Sequence, residues 1–523
     1  MKALNKHKGV VWLVVLIILS IAGMSIPFIS YHWGWVGLLG LLPFIFLLNQ
    51  IKKMPRNTQI FIIWLVGFVS MSIVLHWLLQ TQPERWTAFT GVWAMVLLVA
   101  GWVIMASSLS VGYLLFGFVW TRLKLDLNDK YIWLSLPALW VLCEFLRTYV
   151  FSIISVGSAT TIGPYWGFGT LGFATSVTPL VFAGRIMGIY GLSVFAVLIS
   201  LSVYKLITTK KVVYLFPLAG IITVVVLGYL IYLPAQSKEL KVSSLQLGVD
   251  STIQTPGVSY YDSIHYNQDP AGSDILVAPE YSQVFEFKGE GEDPRVLLSK
   301  TLKDNGIAIT STSKEGEGKH YNELIVYNKQ GEVIQSQRKH FLIPIGESSP
   351  YLLAIPLRLF GKGNEVDMLM QAREVGKGDK PIQLTNANGY KVGALVCSGA
   401  IAPFMYQELV RDGAELLTNS ASLSIFEKSY SYHQQTQQIA RFMAVATNRP
   451  FAQSTDGSYS YIIDKDGNYL VKSEQTKLEI ISAIVKPGLH RTFFDYSGEW
   501  VLVVSGVILL TVSYHSWNNK HKN

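Results

Sequence analysis

The sequence predicts a helical membrane bundle of eight spans that carries one α/β domain outside the cytoplasm. Half of the 523 residues are hydrophobic and only 15% are charged, whereas a soluble protein carries about a quarter charged residues. The apolar residues gather in long runs before residue 235 and again near the C-terminus. The segment between these runs has the mixed composition of an ordinary folded domain. A two-part fold follows from these observations.

The apolar runs are close to the roughly 20 residues that a helix needs to cross a bilayer. We predict membrane spans at residues 10–29, 33–50, 58–80, 90–119, 131–150, 186–206, 212–234 and 499–515. The chain then divides into a membrane domain at 1–234 with seven spans and an extracytoplasmic domain at 235–498. The remaining part, 499–523, holds the eighth span and a short cytoplasmic tail.

The basic residues predict the orientation of the bundle. They cluster at the ends of alternate spans, namely at Lys2, Lys6 and Lys8; Lys52, Lys53 and Arg56; Arg122, Lys124 and Lys130; Lys205, Lys210 and Lys211; and Lys520 and Lys522. With both termini in the cytoplasm, every cluster obeys the positive-inside rule, and the domain at 235–498 lies outside the cytoplasm. Because the net charge of +8 is spread over these clusters, we expect no binding to nucleic acid.

Short β-rich runs alternate with helical stretches in the extracytoplasmic domain. The predicted strands are Val242–Val249, Asp274–Ala278, Gly306–Thr310, Glu323–Tyr327, Val392–Val396, Glu415–Thr418 and Tyr459–Ile463. The predicted helices include Pro403–Asp412 and Ser431–Thr447. This alternation favours a layered α/β fold over a sandwich of strands alone or a barrel.

The chain has two cysteines, and they lie in different parts of the molecule. Cys143 falls within the fifth predicted span, whereas Cys397 follows a predicted strand of the extracytoplasmic domain. A cysteine embedded in the bundle cannot pair with one outside it. An unpaired thiol in an oxidising compartment indicates chemistry, although an inert buried cysteine explains the count equally well.

Other polar residues also stand at the ends of hydrophobic strands. Glu280 and Cys397 each close an apolar stretch, and Lys339 precedes a second carboxylate, Glu347, in one short segment. A cysteine nucleophile needs a base for its proton and a donor for the oxyanion, and these residue types supply both. We expect the strand ends to meet at one edge of a sheet.

The order of these motifs resembles the nitrilase superfamily, and the whole chain resembles its membrane-anchored branch, the apolipoprotein N-acyltransferases. The resemblance rests on Pro279-Glu280, Lys339-His-Phe-Leu-Ile-Pro-Ile-Gly-Glu347, the strand ending in Cys397, Tyr321-Asn322, Asn419, Ala440-Arg441, Asn448-Arg449-Pro450, Ser454-Thr455-Asp456-Gly457 and, in the membrane half, Pro137 to Arg147. It implies an αββα sandwich for the nitrilase-like catalytic domain at 235–498.

The resemblance also implies a mechanism and its substrates. Cys397 would take an acyl chain from a phospholipid as a thioester, with Glu280 as general base and Lys339 stabilising the oxyanion. The amino group of the diacylglyceryl-cysteine of a lipoprotein would then accept the chain at the membrane bilayer. The resemblance implies no metal or organic cofactor, and the ten histidines show no metal-ligand spacing.

Each site residue also has a purely structural interpretation. Glu280 could be a surface carboxylate at a strand end, and Lys339 belongs to a basic run with Arg338 and His340 that is typical of a solvated face. Glu347 could cap a loop, whereas the resemblance implies a second active-site carboxylate that orients the lysine.

Two polar residues of the fifth span also have two possible roles. Glu144 and Arg147 are three residues apart on one predicted helix. They could form an ion pair inside the membrane, or they could contact lipid head groups near its outer surface.

The chain departs from the family pattern directly after the nucleophile. Ser398 and Gly399 stand where the family usually has an aromatic residue and a glutamate. The backbone N–H after the cysteine is independent of this change, but an aromatic wall and a carboxylate are missing from the sequence beside the thiol. The departure indicates a different substrate preference or a lower rate.

Two other classes of function stay open. A membrane-tethered nitrilase-type amidase or hydrolase would resolve the thioester with water instead of an amine. A catalytically degenerate relative would keep the fold and only bind lipoproteins or lipid. Transfer to an amine acceptor tests the first alternative, and covalent labelling of Cys397 tests the second.

Overall fold

The computed structural model of the chain describes residues 2–86, 90–157, 159–160, 162–233, 238–248, 264–282, 284–285, 293–316, 318–344, 346–364, 366–368, 375–379, 384–387, 389–475 and 477–521. Helices fill these ranges up to residue 230, and β-sheets begin at residue 240. The predicted boundary between residues 234 and 235 lies outside the described residues.

Long apolar runs form the helices of the first half, because a helix satisfies its own backbone groups where no water can do so. These helices are α1 (Lys2–Ser25), α2 (Leu42–Ile51), α3 (Arg56–Val74), α4 (Pro83–Trp86), α5 (Gly91–Arg122), α6 (Ile132–Ile154), α7 (Leu171–Thr175), α8 (Gly184–Thr209) and α9 (Phe216–Leu230). Among the described residues, six segments are long and apolar enough to span a membrane: Gly9–Phe28, Arg56–Gln80, Gly91–Arg122, Ile132–Ile154, Pro179–Thr209 and Val212–Leu230. The chain is a multi-pass membrane protein, as predicted.

Two of the eight predicted spans differ from straight full-length helices. The span predicted at 33–50 consists of the 3₁₀ segment Tyr31–Leu38 and α2, bent by 44°, and counting it raises the number in the described residues to seven. Gly40 lies at the bend, where a Cβ would come within 2.2 Å of the carbonyl oxygen of Gly23, so the close packing there requires glycine. The span predicted at 499–515 corresponds to the shorter apolar helix Trp500–His515.

The polar pair of the fifth span is buried within the bundle. Arg147 Nη2 lies 3.9 Å from Glu144 Oε1, and both side chains are at most 4% exposed. Glu144 Oε1 also accepts a hydrogen bond of 2.9 Å from the backbone N–H of Leu171, at the start of α7. Of the two interpretations of this pair, the structure supports the internal ion pair, and the hydrogen bond from Leu171 to Glu144 holds α7 against α6.

The second half of the chain folds into two β-sheets with helices on both outer faces. Its strands are β1 (Leu240–Gln246), β2 (His265–Tyr266), β3 (Ser273–Glu280), β4 (Leu302–Gly316), β5 (Lys319–Asn328), β6 (Val333–Arg338), β7 (Leu384–Ala387), β8 (Tyr390–Val396), β9 (Leu416–Ser422), β10 (Phe451–Asp456), β11 (Tyr461–Ile463), β12 (Tyr469–Lys472) and β13 (Glu479–Val485). Its helices are α10 (Pro294–Thr301), α11 (Tyr351–Leu359), α12 (Pro403–Asp412), α13 (Tyr430–Ala446) and α14 (Phe493–Ser497).

The sheets pack face to face as an αββα sandwich. Within the described ranges the strand orders are β2-β13-β1-β3-β4-β5-β6 and β12-β11-β10-β9-β8-β7. Strand β3 contacts β9 and β10 across the interface, while α10 packs on β4 and α12 and α13 pack on the other sheet. This layering agrees with the fold that the resemblance implies.

The predicted strands and helices of the domain all overlap observed elements of the same kind. The helix α12 has the predicted bounds, because Pro403 suits the first turn of a helix and Gly413 ends it with a φ of +112°. The predicted strand end at Val249 lies outside the described residues.

Glutamine side chains of α13 hold the domain against the membrane bundle. Gln435 Nε2 donates a hydrogen bond of 2.9 Å to the carbonyl of Val74, where α3 ends. Gln438 Nε2 donates one of 2.9 Å to the carbonyl of Pro27, just beyond α1. The last carbonyls of a helix have no partner within the helix, so the domain satisfies groups that the bundle cannot satisfy alone.

A buried arginine ties the two halves together on the other side of α13. Arg185 lies at the start of α8 and is fully buried. Its guanidinium donates to the carbonyls of Val445 at 3.1 Å, Gly228 at 3.2 Å and Lys465 at 2.8 Å, and it pairs with Asp466 at 2.7 Å. The bundle and the domain are therefore docked through directional polar contacts as well as apolar packing.

Candidate active site

The four residues predicted for the site come together although they belong to different strands and loops. Glu280 ends β3, Cys397 follows β8, and Lys339 and Glu347 lie in the segment after β6. Glu280 is 4% exposed, Lys339 is 6% exposed and Cys397 is 9% exposed. These polar groups therefore form a buried cluster at one end of the sandwich.

The Glu280 carboxylate is held by three hydrogen-bond donors. Its Oε1 accepts from Asn322 Nδ2 at 2.6 Å and from Lys339 Nζ at 3.3 Å. Its Oε2 accepts from the backbone N–H of Ser422 at 3.0 Å. A carboxylate held by these hydrogen bonds cannot rotate freely, so the positions of its two oxygens are set before a substrate binds.

The Lys339 ammonium lies between two carboxylates. Its Nζ is 2.7 Å from Glu347 Oε1 and 3.3 Å from Glu280 Oε1. Burial alone would lower the pKa of Lys339, but the charges of Glu280 and Glu347 outweigh that effect and hold the pKa well above its ordinary value. Lys339 is thus a fixed positive charge and not part of a solvated basic face.

The contacts of Glu347 agree with both interpretations of this residue, the loop cap and the carboxylate that orients the lysine. Its Oε1 contacts the Lys339 ammonium, and its Oε2 accepts a hydrogen bond of 2.9 Å from the backbone N–H of Ile343. The carboxylate therefore closes the loop that it belongs to and orients the lysine at the same time.

The Cys397 thiol sits on a strained turn between β8 and a short 3₁₀ helix. Cys397 has a φ of +46°, a backbone conformation that non-glycine residues rarely adopt and that is often found at functional sites. Its Sγ donates to the carbonyl of Ser422 at 3.7 Å. Burial raises the pKa of this thiol well above its ordinary value, and Glu280 raises it further as a negative charge and a hydrogen-bond acceptor. The thiol is neutral at pH 7 and needs a base to become a nucleophile.

The Ser398-Gly399 pair is packed tightly beside Cys397. The Ser398 hydroxyl is buried and donates a hydrogen bond of 2.6 Å to the carbonyl of Phe341, in the segment that carries Lys339. A Cβ on Gly399 would come within 2.5 Å of Leu395 Cβ. The departure from the family pattern therefore fits a site that has no room for a side chain at residue 399.

We predict that Gly399→Glu lowers both stability and activity. A glutamate must displace Leu395 from the core, and overpacking of this kind costs about 1–3 kcal/mol in the free energy of unfolding. Thermal unfolding in detergent measures the effect, with Gly363→Glu as the control, because a Cβ on Gly363 would meet no atom within 4 Å. A Gly399→Glu variant with the parent's unfolding temperature and a higher rate would show that the pocket accepts the usual glutamate.

An aromatic wall of Trp77, Phe426 and Tyr432, from both halves of the molecule, includes a residue of α13, the helix that packs on the segment beginning at Cys397. Tyr432 stacks on Phe426 with ring centroids 4.2 Å apart, and the Trp77 ring is 4.8 Å from Tyr432. Burial raises the pKa of Tyr432, and the nearby Cys397 raises it further. The sequence could not reveal this wall, because Trp77 comes from the membrane half.

Ser422 and Asp456 complete the surroundings of Glu280 and Cys397. Ser422 ends β9 and was not singled out from the sequence, whereas Asp456 ends β10 within a stretch that supported the resemblance. The position of Ser422 three residues beyond Asn419 is the one signal that could have drawn attention to it. In the part of the chain that the structure describes, no group of His, Cys, Asp or Glu side chains is arranged to hold a metal ion.

Both halves of the chain are similar to known protein families. The family model for carbon-nitrogen hydrolases matches residues 271–492, and the model for the N-terminal domain of apolipoprotein N-acyltransferases matches residues 8–202. Proteins named apolipoprotein N-acyltransferase are similar over most of their length. The one from Geobacter metallireducens is 24% identical over 74% of this chain and 75% of its own. The one from Vibrio vulnificus is 22% identical over 88% of this chain and 94% of its own length.

Among solved structures, the chain is similar to a carbon-nitrogen hydrolase from Helicobacter pylori G27. The similarity covers 51% of this chain and 94% of that protein, with 16% sequence identity and a TM-score of 0.32.

Proposed function

Because this chain belongs to the apolipoprotein N-acyltransferase family, we propose that it transfers an acyl chain from a phospholipid to the N-terminal amino group of a diacylglyceryl-cysteine in lipoproteins. Glu280, Lys339, Glu347 and Cys397 are its proposed catalytic centre, within a catalytic domain at 235–498. The observation that carries the proposal is the buried ammonium of Lys339, held between two carboxylates at the site of a strained, neutral thiol.

In the first half of the reaction the lipid ester is exchanged for a thioester. Glu280 takes the proton of Cys397, and the Sγ atom attacks the ester carbonyl carbon. The charge that develops on the carbonyl oxygen is stabilised by Lys339 Nζ and by the backbone N–H of Ser398. The carbon–oxygen bond then breaks, Glu280 returns the proton to the leaving oxygen, and a lysophospholipid departs.

In the second half the amine replaces the sulfur. The amino group of the lipoprotein's cysteine attacks the thioester carbonyl, and Glu280 accepts the proton that the amine loses. The carbon–sulfur bond breaks, the thiolate recovers its proton, and an amide is formed. A buried site favours the amine over water at this step, since hydrolysis needs water beside the thioester.

The docking of the domain supports lipid substrates. Ser429, which precedes α13, donates to the carbonyl of Trp77 at 2.8 Å, and Trp77 belongs to the aromatic wall near the thiol. The proposed nucleophile is thus connected to the ends of membrane helices by a short series of packed residues. An acyl chain in the bilayer and a lipid-modified protein can both approach such a site without leaving the membrane.

The test is acyl transfer from a labelled phospholipid to a synthetic lipopeptide with a free diacylglyceryl-cysteine amine. We expect an N-acylated lipopeptide and a lysophospholipid in equal amounts. A lipopeptide whose amine is acetylated is the matched control and should stay unmodified. Release of free fatty acid without N-acylation would instead support the membrane-tethered hydrolase, and no turnover with either acceptor would support a non-catalytic relative.

We further propose that the domain lies outside the cytoplasm. The helix ends at Val74 and Pro27 contact the domain, whereas at the opposite ends Lys52 pairs with Asp126 and Arg56 donates to Thr121. The basic clusters at Lys52 to Arg56 and at Arg122 to Lys130 thus lie at the helix ends away from the domain, which supports an external domain by the positive-inside rule.

Single cysteines in a variant that lacks both native cysteines measure this orientation. Asp304→Cys places a thiol on the domain, at a side chain that is 94% exposed, and Lys211→Cys places one at an exposed basic cluster. A membrane-impermeant maleimide should label Asp304→Cys in intact cells and Lys211→Cys only after permeabilisation. The reverse pattern, or equal labelling, would contradict the orientation.

A further inference from the structure

Ser422 contacts the proposed base and the proposed nucleophile through its two backbone groups. Its N–H donates to Glu280 Oε2 at 3.0 Å, and its carbonyl accepts from Cys397 Sγ at 3.7 Å. The peptide groups on either side of this residue therefore set how the carboxylate and the thiol face each other. A small rotation of the backbone here would move both contacts together.

A carboxylate outside the proposed catalytic centre holds Ser422 in place. Asp456 pairs with Ser422 in the register of the parallel strands β9 and β10. Its Oδ2 accepts from the Ser422 hydroxyl at 3.0 Å, and its Oδ1 accepts from the backbone N–H of Leu423 at 2.7 Å. Because an ionised carboxylate only accepts hydrogen bonds, both donors must point toward it.

The two contacts of Asp456 fix the segment on both sides of the Ser422 carbonyl. One holds the side chain of Ser422, and the other holds the N–H of the same peptide group that presents the carbonyl to the thiol. Burial raises the pKa of Asp456 to about 6; its hydrogen-bond donors, which include the backbone of Ser424, lower this pKa, and the Glu280 charge raises it. The group is ionised at neutral pH, so it is an acceptor under working conditions.

We propose that Asp456 is a positioning residue that aligns Glu280 with Cys397 by fixing Ser422. Asp456 touches neither the thiol nor the proposed substrates, so it acts through Ser422 and is not a catalytic residue. The inference rests on the proposed function only in taking Glu280 as the base of Cys397. A merely structural role, in which Asp456 joins two strand ends, would affect stability and leave the reactivity of the folded thiol unchanged.

The experiment measures the rate of Cys397 alkylation by iodoacetamide at pH 7.5, per titratable thiol, in the full chain with Cys143→Ala. Expressing the rate per titratable thiol removes any change in the folded fraction. Asp456→Ala loses both acceptor oxygens, and we expect alkylation to slow by about tenfold or more, as for the loss of hydrogen bonds to a charged group. Asp456→Asn keeps the size and one acceptor oxygen, and we expect its rate to lie within about threefold of the parent.

Asp495→Asn is the matched control. Asp495 is also a buried aspartate of the same domain, and burial raises its pKa to about 6 as well. It accepts from the backbone of Thr492 at the start of α14 and has no contact with Ser422. Its loss should leave the alkylation rate of Cys397 within about twofold of the parent, since no hydrogen bond near the thiol changes.

Alkylation of Asp456→Ala at the parent rate would overturn the proposal, and so would equal slowing in Asp456→Ala and Asp495→Asn. Acylation of Cys397 by labelled phospholipid is measured on the same samples. If alkylation responds as expected but the parent forms no acyl adduct, the positioning role of Asp456 stands and the proposed function fails. If the parent is acylated and Asp456→Ala is acylated equally fast, the positioning role fails and the proposed function stands.

Discussion

Cys397→Ala is expected to abolish acyl transfer, with a loss on the order of a thousandfold or more. Alanine removes the atom that is proposed to form the thioester, and the groups of a catalytic unit contribute little once the nucleophile is gone. The fold should persist, because alanine removes only the sulfur atom, whose contacts are a long hydrogen bond of 3.7 Å to the Ser422 carbonyl and the interaction with Glu280. The measurement is N-acylation of the lipopeptide, with thermal unfolding in detergent to confirm that the variant is folded.

Cys143→Ala is the matched control for this loss. Cys143 is the other free cysteine of the chain and is also buried, but it lies in α6 within the membrane bundle. Its replacement should leave the rate of acyl transfer within a few-fold of the parent, or about 1 kcal/mol. Full activity in Cys397→Ala, or equal loss in both variants, would remove the thioester mechanism.

Glu280→Gln is expected to slow Cys397 acylation by about a hundredfold or more. The amide keeps the shape of the carboxylate and can still accept from Asn322 and Lys339, but it cannot take a proton from the thiol. Because burial raises the pKa of Cys397 and is unchanged in the variant, the thiol still needs the proposed base to lose its proton. The measurement is the rate at which labelled phospholipid acylates Cys397 in liposomes.

Lys339→Arg should cause a loss of the same order, although it keeps the positive charge. The ammonium fits between Glu347 at 2.7 Å and Glu280 at 3.3 Å, and a planar guanidinium cannot occupy the same point. Losing one oxyanion donor costs about a hundredfold or more in rate.

The double variant, with Glu280→Gln and Lys339→Arg together, should be little slower than either single variant, because the groups act as a unit. A Glu280→Gln enzyme that acylates at the parent rate would reduce Glu280 to a structural carboxylate.

The sequence predicts those site residues that lie at the ends of buried strands. Glu280 and Cys397 each follow an apolar run, and runs of this kind form the buried strands β3 and β8. Parallel pairing carries strand ends to one edge within each sheet, but β3 and β8 belong to different sheets, so the expected single sheet edge is wrong. The face-to-face packing of the two sheets, with β3 against β9 and β10, brings Glu280 and Cys397 together. The physical signal is hydrophobic patterning, which is local in the sequence.

The strand β10 shows why other parts could not be predicted. Its residues Gln453, Ser454 and Thr455 are polar, which is typical of a turn, yet all three are at most 1% exposed. The Ser454 hydroxyl donates to the carbonyl of Leu245, and the Gln453 side chain accepts from Tyr461 at 3.2 Å. The Leu245 partner lies 209 positions away in the sequence, and only the tertiary fold supplies it.

The same reason applies to the details of the site and of the bundle. Ser422 contacts Glu280 although the two residues are 142 positions apart in the sequence, so no local sequence pattern indicates the contact. The bend before α2 depends on the close approach of Gly40 to Gly23, and hydropathy alone reads the segment as one span. Long-range packing therefore decides the features that apolar runs and motifs leave open.

The most direct test of the central claim is the mass of the Cys397 peptide after incubation of the purified enzyme with phospholipid alone. We predict that this peptide gains the mass of one acyl chain, that hydroxylamine removes it as expected for a thioester, and that a diacylated lipopeptide discharges it with formation of the N-acyl product. An unmodified Cys397 peptide under conditions in which the lipopeptide is acylated would contradict the account.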